Sequence, residues 1–305
     1  LSGEGVYEST VDFNPPHYDN VTCVVPFGGF LLTAGKDKNI MKFSLLDQKR
    51  DHLELNAHNS FIQGMCLVGT GSEVRTLGVH PNNVHAVRFI PDSQLAISVS
   101  MYQIRVWDLR TQECVRMLQS SGQVNDGKYH NFHLLRSSFE ITSLNKRIYS
   151  DSMAVSEGPD GLPQIFTGSR DHYVKMFQCS LGGEGVYEST VDFNPPHYDN
   201  VTCVVPFGGF LLTAGKDKNI MKFSLLDQKR DHLELNAHNS FIQGMCLVGT
   251  HTDRPLLCSV CKEGTMKFWD ITTSRRFKLV EELPKAHSES MYSVCSNKYM
   301  VFTAS

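Results

Sequence analysis

Short apolar runs separated by turn residues recur along the chain, whereas apolar positions at helical spacing are scarce. The clearest unit spans residues 197–236, and its four extended runs are residues 201–205, 210–214, 220–224 and 232–235. Residues 215–219, between the second and third runs, supply the glycine, aspartate and asparagine that tight turns need. This pattern predicts four β-strands joined by short turns.

Further units with the same order of runs begin near His80, Ser152, His238 and His287. A period of about 40 residues with four strands is typical of a β-propeller blade. We therefore predict an all-β chain in which residues 1–305 form a single WD40-type β-propeller. Residues 120–151 fit the pattern poorly and are either a degenerate blade or a long loop between blades.

The last unit, which opens at His287, stops after two strands. A propeller closes when strands from opposite ends of the chain complete one blade, which removes the open sheet edge. A strand at residues 6–13 is therefore a candidate partner for the last unit.

An exact internal repeat complicates this prediction. Residues 3–70 are identical to residues 183–250, so that residues 1–70 copy residues 181–250 except at position 2. Ordinary blades share a pattern and not every residue. Identity over this length indicates a very recent copy, an engineered chimera or a sequence stitched from overlapping pieces, and an artefact is favoured over natural tandem duplication. The propeller prediction therefore depends on residues 71–305.

Two Trp-Asp pairs stand at the ends of predicted third strands. A buried indole N–H suits a hydrogen-bond network with a histidine, a hydroxyl side chain and a turn aspartate. Because such residues recur about once in each unit, we interpret them as structural and not as catalytic or metal-binding. The residues predicted for these networks are Trp107, Asp108, Thr167, Asp171, His197, Thr213, Asp217, Trp269 and Asp270.

A basic residue precedes the turn acid in several units, at Lys36, Arg170, Lys216 and Lys262. In a propeller these turns lie on one face, around the central channel. The four side chains are therefore either solvated turn residues or a basic rim that binds an acidic segment of a partner protein.

Composition narrows the possible functions. A net charge of −3 gives no sign of nucleic-acid binding, and no apolar run is long enough for a membrane-spanning helix. Residues 1–10 lack the features of a signal peptide, and the nine cysteines are interpreted as reduced thiols of a cytoplasmic protein. The sequence contains no phosphate-binding loop, nucleophile elbow or zinc-protease motif, so we predict neither an enzyme nor a cofactor.

A C-x-x-C pair at Cys258 and Cys261 is the one hint of a metal site. Residues three apart on a strand point to opposite faces, and a zinc site needs a second pair of ligands at suitable spacing. We therefore predict no bound metal.

Five stretches carry a family resemblance: residues 80–84 (HPNNV), 102–110 (YQIRVWDLR), 120–124 (SSGQV), 167–177 (TGSRDHYVKMF) and 195–199 (PPHYD). With these stretches, residues 71–305 resemble the C-terminal WD40-repeat domain of kinesin-4 family motors, in particular the kinesin-21 group. The resemblance implies a propeller of seven four-stranded blades. It also implies contact with tubulin, microtubules or cargo adaptors, restraint of microtubule growth, and a place on the cytoskeleton.

The sequence departs from that family in three places, one of which is that the last unit lacks its third strand. Residues 125–151 fill the position of a further blade poorly, and residues 1–70 occupy the position of the first blade while copying a later one. The function predicted is a non-catalytic protein-interaction domain, monomeric in isolation. The alternative is a generic WD-repeat scaffold of a cytosolic complex with no role at tubulin.

Overall fold

A computed structural model of the chain describes residues 11–58, 60–66, 77–78, 84–90, 93–100, 103–120, 132–134, 140–141, 150–161, 163–178, 189–272 and 276–305. The regular structure of these residues consists of β-strands joined by turns. Among them there is no helix with the length and apolar character needed to cross a membrane.

The described strands form antiparallel sheets that follow one another along the chain. The first blade contains β1 (Val21–Phe27), β2 (Phe30–Gly35), β3 (Ile40–Ser44) and β4 (Arg50–Glu54). The second contains β5 (Val84–Phe89), β6 (Leu95–Ser100), β7 (Gln103–Asp108) and β8 (Glu113–Ser120), and is extended by β9 (Phe132–Leu134) and β10 (Glu140–Ile141).

The third blade contains β11 (Ser150–Glu157), β12 (Pro163–Ser169), β13 (Val174–Gln178) and β14 (Ser189–Phe193). The fourth contains β15 (Val201–Phe207), β16 (Phe210–Gly215), β17 (Ile220–Ser224) and β18 (Arg230–Glu234). The fifth contains β19 (Ile242–Val248), β20 (Leu256–Cys261), β21 (Met266–Asp270) and β22 (Lys278–Leu283). A half-blade of two strands follows, β23 (Ser293–Ser296) and β24 (Val301–Ala304).

The expectation of seven four-stranded blades is wrong for the described part of the chain, which forms five blades and the half-blade. Between residues 120 and 151, β9 and β10 extend the second blade and do not begin a new one. Residues 61–66 form no strand, although the same sequence at 241–246 begins β19. The reason is the neighbouring sequence, because β19 pairs with β20, and β20 follows only the second copy.

Two compact units divide the chain. One comprises residues 1–62 and 238–305, and the other comprises residues 63–237. In the first unit β23 packs against β19 on one side and against β1 on the other, so the half-blade lies between the first and fifth blades. In the second unit β11 packs against β5 and β15, so neighbouring blades meet through their first strands.

Each unit has its own apolar core. In the second unit the aromatic rings of Phe166, Phe193 and Phe223 follow one another at centroid distances of 6.5 and 5.3 Å, and all three are fully buried. Burying such a side chain contributes about 1.5–3 kcal/mol each to stability. In the first unit Phe43 and Phe302 belong to one buried cluster, which joins the half-blade to the first blade.

The strand considered at residues 6–13 lies partly outside the described residues. Val11, Asp12 and Phe13 are described, and they are not in a strand. The identical residues Val191, Asp192 and Phe193 belong to β14, where they pair with β13.

Candidate interaction surface

The turns between the second and third strands of the blades carry all four predicted basic residues. Lys36 follows β2, Arg170 follows β12, Lys216 follows β16 and Lys262 follows β20. The two units are described separately: Lys36 and Lys262 belong to the first, and Arg170 and Lys216 to the second. Arg170 and Lys262 are exposed, whereas Lys36 and Lys216 are half-buried.

Backbone hydrogen bonds hold these turns in one shape. The N–H groups of Lys36, Lys216 and Lys262 each donate to a carbonyl just before the first strand of the blade, at 2.9–3.0 Å. The residue two positions further along has a left-handed backbone, with φ near 70° at Lys38, His172 and Lys218 and 78° at Gly264. The basic side chains therefore project from a repeated and well-anchored turn.

The turn aspartate of the fourth blade points inward. Asp217 Oδ2 lies 2.9 Å from His197 Nδ1 and accepts the backbone N–H of Tyr198 at 3.0 Å, while His197 Nε2 lies 2.8 Å from Thr213 Oγ1. Burial opposes ionisation of Asp217, but the His197 and backbone hydrogen bonds outweigh it and lower the pKa of this carboxyl group. The structure thus brings together the predicted residues His197, Thr213 and Asp217.

The copied segment repeats this arrangement in the first blade. His17 Nδ1 lies 2.8 Å from Asp37 Oδ2, and His17 Nε2 lies 2.7 Å from Thr33 Oγ1. In both blades the turn aspartate therefore pairs with a histidine and not with the lysine that precedes it.

The third blade lacks the histidine of this network. Asp171 Oδ1 accepts the Tyr173 N–H at 3.1 Å, but Thr167 Oγ1 and Asp171 Oδ2 are buried without a hydrogen-bond partner among the described residues. In the fourth blade the histidine stands sixteen residues before the threonine, and the corresponding position here is Asp151. The structure therefore does not bring Thr167 and Asp171 into a complete network.

Both buried indoles bond a serine hydroxyl, and among the described residues no aspartate joins these networks. The indole N–H of Trp107 donates to Ser98 Oγ at 2.7 Å, and that of Trp269 donates to Ser259 Oγ at 2.8 Å. Ser259 Oγ also lies 2.7 Å from His238 Nε2.

Asp108 and Asp270 take no part in these indole networks, contrary to the prediction. Asp108 Oδ1 accepts the N–H of Arg110 at 2.8 Å, and Asp270 Oδ1 accepts the N–H of Thr272 at 2.9 Å, so both stabilise the turn that follows the third strand. The reason is strand geometry, because successive side chains point to opposite faces and a buried tryptophan turns the next residue outward.

Several network residues were missed. Ser98, Ser259 and His238 were not among the predicted network residues, nor was the pair His287 and Thr303, whose Nε2 and Oγ1 atoms lie 2.7 Å apart. The sequence pattern that could have predicted these residues is a serine or threonine near the end of each second strand. In the first, fourth and last units a histidine also stands sixteen residues before it.

The basic turns also carry neighbours that suit a partner protein. The Nζ atom of Lys36 lies 5.0 Å from the centroid of the Tyr292 ring, and that of Lys262 lies 5.8 Å from the centroid of the Phe241 ring. Lys38 and Lys218 add a second positive charge to the first and fourth turns, and the prediction had missed both. The lysine cations can pair with carboxylates of a partner, and the rings attract the cations through their electron-rich faces. The described residues contain no cluster suited to a metal ion.

Comparison with known proteins places the chain among WD40-repeat proteins. The WD domain, G-beta repeat family matches residues 71–108 and 230–270. The kinesin-like protein klp-12 of Caenorhabditis elegans is 44% identical over 279 residues, which cover 76% of this chain and 17% of that protein. The kinesin-like protein KIF21A of Homo sapiens is 29% identical over 327 residues, which cover 94% of this chain and 18% of that protein.

A solved structure agrees on the fold. The WD40 β-propeller domain of Doa1 superposes with a TM-score of 0.65 at 16% identity, covering 95% of this chain and 91% of that one. The chain therefore has a WD40 β-propeller fold and is homologous to these kinesin-like proteins, of whose length it spans about a sixth.

Proposed function

We propose that this chain is the non-catalytic propeller of a kinesin-like motor of the kinesin-4 family (kinesin-21 group), and that its basic turns contact the microtubule. Homology to klp-12 and KIF21A supports the kinesin-like setting. This function places the chain on the cytoskeleton in the cytoplasm. Restraint of microtubule growth and attachment of cargo adaptors are the further activities proposed for it.

The observation that carries this proposal is the separation of charge in the turns. In the fourth blade the Asp217 carboxylate is buried against His197, while the neighbouring Lys216 and Lys218 are half-buried. Because Asp217 pairs with His197 and not with either lysine, the two lysines contribute positive charge at this turn. A rim of this kind suits the flexible acidic tails of tubulin, for which charge sets the rate and the specificity of binding.

The test is co-sedimentation of the chain with microtubules at low and high salt. We expect the chain to pellet with intact microtubules at low salt, and the bound fraction to fall several-fold as salt screens the charges. Microtubules from which the acidic tails have been removed should bind it weakly at both salt concentrations. Absence of binding at low salt would support the generic scaffold instead, and equal binding to tail-less microtubules would exclude the basic rim as the contact.

A further inference from the structure

Two exposed apolar side chains lie beside the basic turn of the fourth blade. Tyr198 is 72% exposed and Leu235 is 61% exposed. The Tyr198 N–H donates to Asp217 Oδ2 at 3.0 Å, and Asp217 is the residue between Lys216 and Lys218. The tyrosine is therefore anchored next to the turn that carries the two lysines.

The segment that carries Leu235 is fixed to the same turn. The N–H of the next residue, Asn236, donates to Asn219 Oδ1 at 2.9 Å, and Asn219 is buried. The Asn219 N–H in turn donates to Asp217 Oδ1 at 3.2 Å. Side-chain hydrogen bonds thus connect both apolar residues to the turn, and we call Tyr198, Leu235 and the two lysines the fourth-blade surface.

The basic turn of the third blade adjoins this surface within the same compact unit. The His197 N–H, one residue before Tyr198, donates to the carbonyl oxygen of His172 at 3.0 Å. His172 lies two residues after Arg170, which is exposed. Tyr198 therefore lies close to two basic turns, one from each blade.

The blade fold does not require these apolar side chains. The third and outer strands of the fourth and fifth blades pair in the same register. In the fifth blade, however, Asn239 follows the network histidine where Tyr198 does in the fourth, and Pro284 follows the outer strand where Leu235 does. Since a blade forms without the tyrosine and the leucine, their exposure beside charged residues is better explained by contact with a partner protein.

The carboxylates of the fourth-blade turn and of the segment before it are engaged within the chain. Asp217 pairs with His197 at 2.9 Å, and Asp199 Oδ1 accepts the backbone N–H that follows it at 2.6 Å. No acid among the described residues forms an ion pair with Lys216 or Lys218. A carboxylate of a partner can therefore pair with these lysines without displacing an acid of the chain itself.

We propose that the fourth-blade surface binds an acidic segment of a partner protein that carries an aromatic residue among its carboxylates. The inference rests on the proposed function and adds an apolar contact to the basic one. The lysines pair with the carboxylates, while Tyr198 and Leu235 pack against the aromatic ring. The surface thus selects its partner by an aromatic residue as well as by charge.

The first blade repeats this surface through the internal copy. Tyr18 and Leu55 are exposed, and the Tyr18 N–H donates to Asp37 Oδ2 at 3.1 Å between Lys36 and Lys38. The two compact units therefore carry one copy of the surface each, so variants that test the proposal change both copies together.

The test measures binding of two fluorescent peptides to the full 305-residue chain by fluorescence polarisation. One peptide has a tyrosine flanked by three glutamates on each side, and the other has a serine in place of the tyrosine. We expect the tyrosine peptide to bind at least about fivefold more tightly, because only its ring can be buried. Added salt should weaken both peptides several-fold and leave their ratio unchanged, since salt screens ion pairs and not apolar contacts.

Variants assign the two contributions to their residues. Tyr18→Ser combined with Tyr198→Ser should bring the affinity of the tyrosine peptide close to that of the serine peptide. Lys36→Gln combined with Lys216→Gln should weaken both peptides by a similar factor.

Leu46→Ser combined with Leu226→Ser is the matched control. These leucines are 94% exposed and follow the third strands, at the end opposite to the basic turns. Their replacement should leave the affinities of both peptides unchanged.

The results separate failure of this inference from failure of the basic rim. Equal affinity of the two peptides would overturn the aromatic preference and leave the basic rim intact, provided that both bind and weaken with salt. An equal loss of binding in the leucine control and in the tyrosine variant would also overturn the assignment to the fourth-blade surface. Absence of binding by both peptides at low salt would overturn the inference together with the basic rim as a site for acidic segments.

Discussion

The Nε2 atom of His238 lies 2.7 Å from the hydroxyl oxygen of Ser259, while the Nδ1 atom of the same ring is buried without a hydrogen-bond partner among the described residues. In the fourth blade the corresponding Nδ1 atom, of His197, pairs with the turn residue Asp217. The turn residue of the fifth blade is Glu263, which is exposed. The fifth blade therefore has the tryptophan and serine of the network but lacks its carboxylate.

Glu263→Asp should complete the network of the fifth blade. An aspartate at this position can reach His238 Nδ1 as Asp217 reaches His197, and a hydrogen bond to a charged group contributes about 1.5–3 kcal/mol before the cost of burying the charge. We expect a net gain of about 1 kcal/mol in the free energy of unfolding, measured by urea denaturation. Glu263→Gln is the control, because it removes the charge without shortening the side chain, and should give no gain. Equal stability of Glu263→Asp and the original chain would show that an aspartate in this turn does not reach His238 Nδ1.

Stability should depend on pH through His238. Burial, with a contribution from the Lys267 charge, lowers the pKa of this histidine to about 3. In the unfolded chain a histidine titrates near 6.5. Between these values the unfolded state binds a proton that the folded state does not, so stability is complete above about pH 6.5 and falls as pH decreases, by about 1.4 kcal/mol for each pH unit.

The internal copy supplies the control for this pH dependence. His238→Gln should lower stability at neutral pH but reduce the slope between pH 6.5 and 4.5 by roughly one proton. His58 has the same sequence neighbours and is exposed, so His58→Gln should leave the slope unchanged. Denaturation at a series of pH values measures the slope for both variants. An unaltered slope in His238→Gln would contradict the assignment of the pH dependence to His238.

Gly264 should tolerate no side chain. Its φ is +78°, and an added Cβ atom would lie 2.1 Å from the carbonyl oxygen of His287. Lys38 and Lys218 adopt similar angles at the same turn position, so the close approach and not the angle alone is decisive. We expect Gly264→Ala to cost more than about 3 kcal/mol, and Gly208→Ala, which has φ +56° but open space, to cost about 1 kcal/mol. Similar thermal unfolding of the two variants would refute this explanation.

Inner strands were predictable from the sequence. The strand predicted at residues 220–224 is β17, with the same bounds, because it is a short apolar run between two strong turn signals. The outer strand predicted at 232–235 is observed at Arg230–Glu234. Outer strands bury fewer side chains, so their hydrophobic pattern defines their ends less sharply.

Other parts of the fold depend on strand pairing between distant segments, which the sequence of one segment does not predict. Phe13 and Phe193 have the same flanking sequence, yet only Phe193 lies in a strand, because only there does a third strand pair with it. The blade count failed for a similar reason, since residues 120–151 carry too weak a pattern to show whether their strands extend a sheet or begin one. The pairing of Trp107 with Ser98 was also missed, because the hydrogen bond joins adjacent strands across one face of the sheet.

The most direct test of the proposed function compares two lysines of the fourth blade. Lys216 lies in the turn before β17, whereas Lys229 is exposed in the turn after β17, at the opposite end of the strand. The variants Lys216→Glu and Lys229→Glu reverse the same charge at the two ends of β17. Microtubule co-sedimentation at low salt compares their binding. The basic-rim proposal expects Lys216→Glu, alone or with Arg170→Glu, to reduce the bound fraction several-fold, and Lys229→Glu to leave it unchanged. Equal binding by all variants, or a greater loss in Lys229→Glu, would contradict it.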